Sequence, residues 1–126
     1  MHKSRLGALV IDCQSDDFDR DADFWAHVFA CQVLWRDEPG DENYRLLTAA
    51  PGDPKLLLQR VEHDSRVHLD IETDDIDAEV RRLERLGALR VRQVRDWWVM
   101  QAPSGHRFCV VHPQRPDFDE NANRWE

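Results

Sequence analysis

The segment Ile11-Asp12-Cys13-Gln14-Ser15-Asp16-Asp17-Phe18-Asp19 returns in altered form 58 residues later as Leu69-Asp70-Ile71-Glu72-Thr73-Asp74-Asp75-Ile76-Asp77. The offset is close to half of the 126-residue chain. A doubled strand-to-helix unit restricts the fold to two pseudo-equivalent halves, so matched positions can be compared across them. One asymmetry stands out at once: His68 in the second copy occupies the place of Val10 in the first.

Leu6 to Cys13 reads as a strand, with Leu9, Ile11 and Cys13 on one face and Val10 and Asp12 on the other. Asp16, Asp17 and Asp19 then open a helix, where carboxylates favour the positive end of the dipole. Phe18, Ala22, Trp25 and Val28 form its apolar stripe, and Ile76, Val80, Leu83 and Leu86 repeat that stripe at the same offset. Gly87 follows the second helix, where a left-handed cap suits it. Shorter extended segments come next. In the first half they are 32–36, 44–48 and 55–61, separated by turns at Pro39-Gly40-Asp41 and Pro51-Gly52-Asp53-Pro54. In the second half they are 88–95, 97–101 and 107–112, with Pro103-Ser104-Gly105 as the last turn. Each half is thus strand, helix, strand, strand, strand. Module one covers about 5–62, module two about 65–113, and a polar, irregular tail runs from 114 to 126. Phe118 and Trp125 predict that this tail folds back on the body.

Length and composition predict one folded domain over 1–126, with 41% hydrophobic residues and five Trp to fill a core. A formal charge of −8 with no basic stripe argues against nucleic-acid and anionic-membrane partners. Cys13, Cys31 and Cys109 are widely spaced without a CxxC pair, which reads as free thiols. The apolar run after the charged N-terminus is too short for a signal peptide or a membrane span, so a cytoplasmic protein is expected.

Beyond the repeat itself, several stretches carry a family resemblance: Leu58-Gln59-Arg60-Val61, Arg66 to Asp75, Leu86-Gly87-Ala88, Trp97-Trp98-Val99-Met100 and Pro103 to Val111. The closing Pro116-Asp117-Phe118 and Asn121 to Trp125 belong with them. Together they resemble the glyoxalase-like subgroup of the vicinal oxygen chelate superfamily, which includes glyoxalase I, extradiol dioxygenases and bleomycin-resistance proteins. The resemblance implies an α+β fold: two tandem βαβββ modules form a curved mixed sheet around a cavity, with the helices outside. It also implies where metalloenzyme members place their ligands, on the first and last strands of each module. Here those positions are Val10, Gln59, His68 and Cys109.

As a metal site that set is weak. Val10 has no donor atom, Gln59 offers a neutral amide oxygen, and Cys109 stands at the usual glutamate position. No standard metal site and no other cofactor are expected; His68, Gln59 and Cys109 would be the ligands of any divalent metal. Alternation in Val67-His68-Leu69-Asp70-Ile71-Glu72 puts Val67, Leu69 and Ile71 toward a helix and His68, Asp70 and Glu72 toward the cavity. The positions of Asp12 and Asp70 suit the sheet ends better than ligation. His68 fits either a pocket-lining imidazole bonded to a neighbour such as Gln59, or a ligand-recognising or acid/base group. Trp97, by parity with Val99 and Gln101, faces the cavity, with core packing the alternative for both Trp97 and Trp98. Leu57, Val61, Cys109 and Val111 supply apolar surface to that face, and His68, Gln59 and Arg107 its polar groups.

The expected function is binding of a small apolar or aromatic ligand, through His68, Gln59, Trp97, Arg107, Cys109, Leu57 and Val10. The alternative is a metal-dependent lyase, isomerase or dioxygenase with His68 as the candidate catalytic residue. A third reading is an interaction protein whose own side chains fill the cavity. Trp35 and Trp125 as exposed aromatics, together with the habits of relatives, point to a homodimer.

Overall fold

The computed structural model describes residues 1–34 and 42–126. Trp35, the end of the segment expected over 32–36 and the Pro39-Gly40-Asp41 turn lie outside the described residues. The chain divides into two compact units, Ala8–Val67 on one hand and Met1–Gly7 with His68–Glu126 on the other.

β1 (His2–Cys13) begins in the second unit and ends in the first, where it leads into α1 (Phe18–Val28), β2 (Val33–Leu34), β3 (Tyr44–Leu47) and β4 (Lys55–Arg60). β1 and β4 run parallel, while β3 is antiparallel to both β4 and β2. Asp17 caps α1 by accepting a hydrogen bond from the Arg20 amide at 3.2 Å. Cys13, Phe18, Ala22, Ala26, Leu47 and Leu58 close a core between helix and sheet.

The second unit repeats the plan with β5 (Arg66–Thr73), α2 (Ile76–Arg85), β6 (Leu89–Val94), β7 (Trp97–Gln101) and β8 (Arg107–Val111). β5 and β8 are parallel, and β7 is antiparallel to β8 and β6. Asp75 caps α2 through the Ala78 amide at 3.0 Å, so the aspartate pair of the repeated segment supplies the cap of both helices. Ile76, Val80, Ala88, Met100 and Val110 form this unit's core. Gly87 has φ +107°, the left-handed region expected after α2. Parallel and antiparallel pairs within each βαβββ unit make this an α+β fold with a mixed sheet.

Three details differ from the sequence reading. Val28 and Leu86 stand exposed, because α1 ends at Val28 and Leu86 is already the C-cap of α2. The last position of each stripe therefore reaches past its core. Val67 and Leu69 share the helix-side face of β5 by alternation but remain 58% and 40% exposed, while Ile71 on the same face is half-buried. The tail is also more regular than expected, with α3 (Phe118–Asn121) and β9 (Asn123–Trp125). β9 pairs antiparallel with the start of β1, matching His2 to Trp125 and Ser4 to Asn123. The Trp125 indole donates to Ser4 Oγ at 2.8 Å, and the Arg82 guanidinium lies 3.8 Å over its ring.

Two buried carboxylates hold this unit together. Glu72, with no exposed surface, accepts from Arg5 Nε at 2.6 Å, Arg115 Nε at 3.3 Å and the Gln114 amide at 2.8 Å. Glu79, equally buried, takes a two-pronged bond from Arg82 at 2.8 Å on each oxygen and pairs with His2 Nε2 at 2.8 Å. Burial alone would raise the Glu79 carboxyl. Hydrogen bonds from Arg82, His2 and Ser4, with the Arg82 charge, outweigh it and hold the carboxyl below its ordinary range.

Candidate functional site

Register decides which side chains share a face. In the first unit Val10 lies opposite Leu57 and Asp12 opposite Gln59, while Leu46 and Tyr44 pair with Leu57 and Gln59. Ile11, Cys13 and Leu58 point the other way, into the core under α1. Gln59 Nε2 donates to the Tyr44 hydroxyl at 3.2 Å. Val10 and Asp12 are both buried. Asp12 Oδ2 lies 3.8 Å from Arg66 Nε and 3.9 Å from His63 Nε2.

In the second unit Asp70 lies opposite Cys109, which in turn lies opposite Val99, and Arg107 faces Gln101. Leu69, Ile71, Phe108 and Val110 occupy the opposite, helix-side face by alternation. His68 stands two residues before Asp70 and so shares its face. Its Nε2 is 3.4 Å from Asp70 Oδ1. One donor atom each from His68, Asp70 and Cys109 lies within 4.8 Å of the other two. All three residues are half-buried. Asp70 Oδ1 is covered from solvent and makes no hydrogen bond. Arg107 Nε donates to Gln101 Oε1 at 3.1 Å.

The two units therefore use one register. Asp12 pairs with Gln59 as Asp70 pairs with Cys109, and Val10 precedes Asp12 as His68 precedes Asp70. Only the aspartate is common to both. Asp70, which suits a sheet end by the sequence reading, lies within β5 opposite Cys109. Two signals pointed to it: its alternation with His68 and its match to Asp12. Glu72 continues the same alternation, yet its carboxylate is consumed by Arg5, Arg115 and Gln114.

Trp97 shares the parity of Val99 and Gln101, but both Trp97 and Trp98 also pack against the core under α2. Arg95 and Arg90 lie over their respective rings at 5.9 and 5.1 Å. Cys13 is a buried thiol pushed up to about 11 by burial and by the charges of Asp21 and Asp12. A cavity of about 520 Å³ in the Ala8–Val67 unit is lined by Phe29, Cys31, Thr48, Pro54 and Leu56 among others. It contains none of the expected site residues. No helix among the described residues is long and apolar enough to cross a membrane.

The positions implied for a metal by the superfamily fit poorly here. Val10 has no donor, Gln59 already serves Tyr44, and two strong donors remain, His68 and Cys109.

Comparison with known proteins bears on the fold. A family model described as a glyoxalase-like domain matches residues 8–111. A hypothetical protein from Bacillus halodurans superposes with a TM-score of 0.61 at 10% identity, over 89% of this chain and 96% of that one. Methylmalonyl-CoA epimerase from Mycobacterium tuberculosis gives 0.57 at 17% identity, over 87% and 88%. A variant of homoprotocatechuate 2,3-dioxygenase from B. fuscum gives 0.60 at 14% identity; it covers 90% of this chain, which spans 33% of the dioxygenase. No curated protein matches the sequence. At these identities the structural likeness speaks for the fold alone, and the family match carries the assignment: the chain belongs to the glyoxalase-like domain family.

Proposed function

We propose that this protein binds a small, mainly apolar or aromatic molecule without the standard metal set of its superfamily. The observation that supports this reading is the mismatch at equivalent register positions: Val10 against His68 and Gln59 against Cys109. Four-position metal chemistry has lost half of its strong donors. The His68 face still has the makings of a recognition surface. A neutral imidazole offers one donor and one acceptor, and Arg107 offers charged donors in a fork oriented by Gln101. Trp97, Val99 and the Cys109 thiol supply apolar area beside them. Val10, Leu57 and Gln59 occupy the equivalent face of the first unit. Relatives bind small molecules; one dioxygenase variant was solved in complex with HPCA.

A thermal-shift screen of aromatic and branched-chain metabolites tests the reading. At a ligand concentration of about 100 times Kd, stabilisation of about 2.7 kcal/mol is expected, with a raised melting temperature. His68→Ala should remove most of that rise. An unchanged rise in His68→Ala would contradict the assignment of His68.

A homodimer is part of the same proposal. Leu86 and Leu89 are 66% and 63% exposed, and Val91 adds to the apolar surface of β6. Light scattering returning a monomer at micromolar concentration would remove this element. A second reading, metal-dependent chemistry, is favoured by the close approach of His68, Asp70 and Cys109.

A further inference from the structure

We infer that this chain self-associates head to tail: the acidic, aromatic face of α1 in one copy docks on the basic, aliphatic face formed by the end of α2 and by β6 in a second copy. This rests on the self-association proposed above and names the two faces that meet.

The first face lies in the Ala8–Val67 unit. Phe24, Val28 and Phe29 are 59%, 53% and 45% exposed. Phe24 meets Trp25 edge-on with ring centroids 5.1 Å apart, and Trp25 stacks on Phe29 at 5.8 Å, so the rings form one continuous run. Helical spacing sets Asp17, Asp21, Phe24 and Val28 on one stripe. Asp16, Asp17 and Asp21 share a shallow depression of about 420 Å³ with Phe24. Residues 16–23 hold five aspartates against Arg20 alone. Single exposed apolar side chains are ordinary, but a contiguous run with a charged rim marks an interaction surface.

The second face lies in the other unit, where Leu86, Leu89 and Val91 are exposed. Residues 81–95 hold six arginines against Glu84 alone. Arg90 reaches Glu84 at 3.0 Å, which ties β6 to α2, while Arg81, Arg85, Arg92 and Arg95 stand exposed. Among the described residues β6 pairs only with β7, so its outer edge is open. Two such edges from two copies would set arginine against arginine, and like charges across a strand pair repel. The α1 face offers what that edge lacks: carboxylates for the arginines and aromatic rings for the leucines. A guanidinium pairs with a carboxylate through two bonds and stacks on aromatic faces. Complementary charge steers and orients the encounter, while the apolar centres supply most of the affinity. The net charge of −8 repels copies that meet on like-charged faces, which favours this opposed pairing.

Sedimentation velocity of the full chain tests this. Wild type should self-associate, and more weakly as salt rises, because exposed ion pairs are screened. Asp16→Lys combined with Asp23→Lys should weaken association by more than about tenfold through like-charge contacts. Those changes bring the net charge of −8 nearer to zero, which alone would favour association, so weakening reports on the face itself. Arg85→Glu combined with Arg92→Glu should weaken it similarly. All four changes in one chain should restore association, since both faces are then reversed. The four residues are exposed, circular dichroism checks that each variant is folded, and the salt series needs no variant. A wild type that stays monomeric overturns this inference together with the proposed homodimer. Association that ignores salt, survives the α1 changes, or is not restored by the fourfold change overturns the pairing of these faces and leaves the homodimer standing.

Discussion

Glu72→Gln is expected to destabilise the protein by about 3–5 kcal/mol, the range for breaking a buried ion pair by removing one partner. The carboxylate has no exposed surface and collects Arg5, Arg115 and the Gln114 amide. The arginines are themselves 10% and 9% exposed at the side chain, so each would keep a buried charge with less to meet it. Arg5 retains Asp117, at 2.8 Å from its Nη2, which moderates the loss on that side. The added amide hydrogens would also face Arg5 and Arg115 as donors against donors. Gly7 adds a steric reason for the arrangement, since a side chain there would begin 3.1 Å from Glu72 Cβ. Against a total stability of about 5–15 kcal/mol, the loss is visible as a large drop in the urea midpoint. Replacing Arg115 by Met in the same background should recover part of it, because the stranded charge is gone. A cost below about 1 kcal/mol would show that this network contributes little.

Leu58→Ala is expected to cost about 2–5 kcal/mol through a cavity in the core of the first unit. Leu58 is fully buried, lies between Ile11 and Arg45 in the sheet, and packs in the cluster with Phe18, Ala22 and Leu47. The removed methyl groups sit under α1, whose Ala22 and Ala26 are too small to fill the space. Leu69→Ala is the matched control, a β5 leucine left 40% exposed, where the change should stay within about 0.5 kcal/mol. Equal effects of the two substitutions in urea unfolding would contradict this account of the core.

Much of the fold was legible because the repeat acts locally. The aspartates that end each copy cap the helices through side-chain bonds three residues on, and both the stripe and Gly87 follow from helix geometry. The tail was less legible. An α3 of four residues and a β9 of three have little local preference; they exist through Arg5 stacking on Phe118, Trp125 bonding to Ser4 and pairing with β1. Alternation likewise put Glu72 with His68 and Asp70, but whether a carboxylate meets solvent or two arginines depends on Arg5 and Arg115, which are distant in sequence. Cys109 lying opposite Asp70 is a matter of register between β5 and β8, which local pattern does not specify. Alternation therefore groups His68 with Asp70, and strand pairing sets Cys109 beside Asp70.

The most direct measurement is calorimetric titration of a ligand taken from the metabolite screen into chelator-treated wild type, His68→Ala and Arg107→Ala. Saturable binding by wild type in the absence of metal, weakened about tenfold or more in both variants, is the predicted result, corresponding to about 1.4 kcal/mol or more for each lost contact. Equal affinity for all three proteins would contradict a recognition surface built on the His68 face.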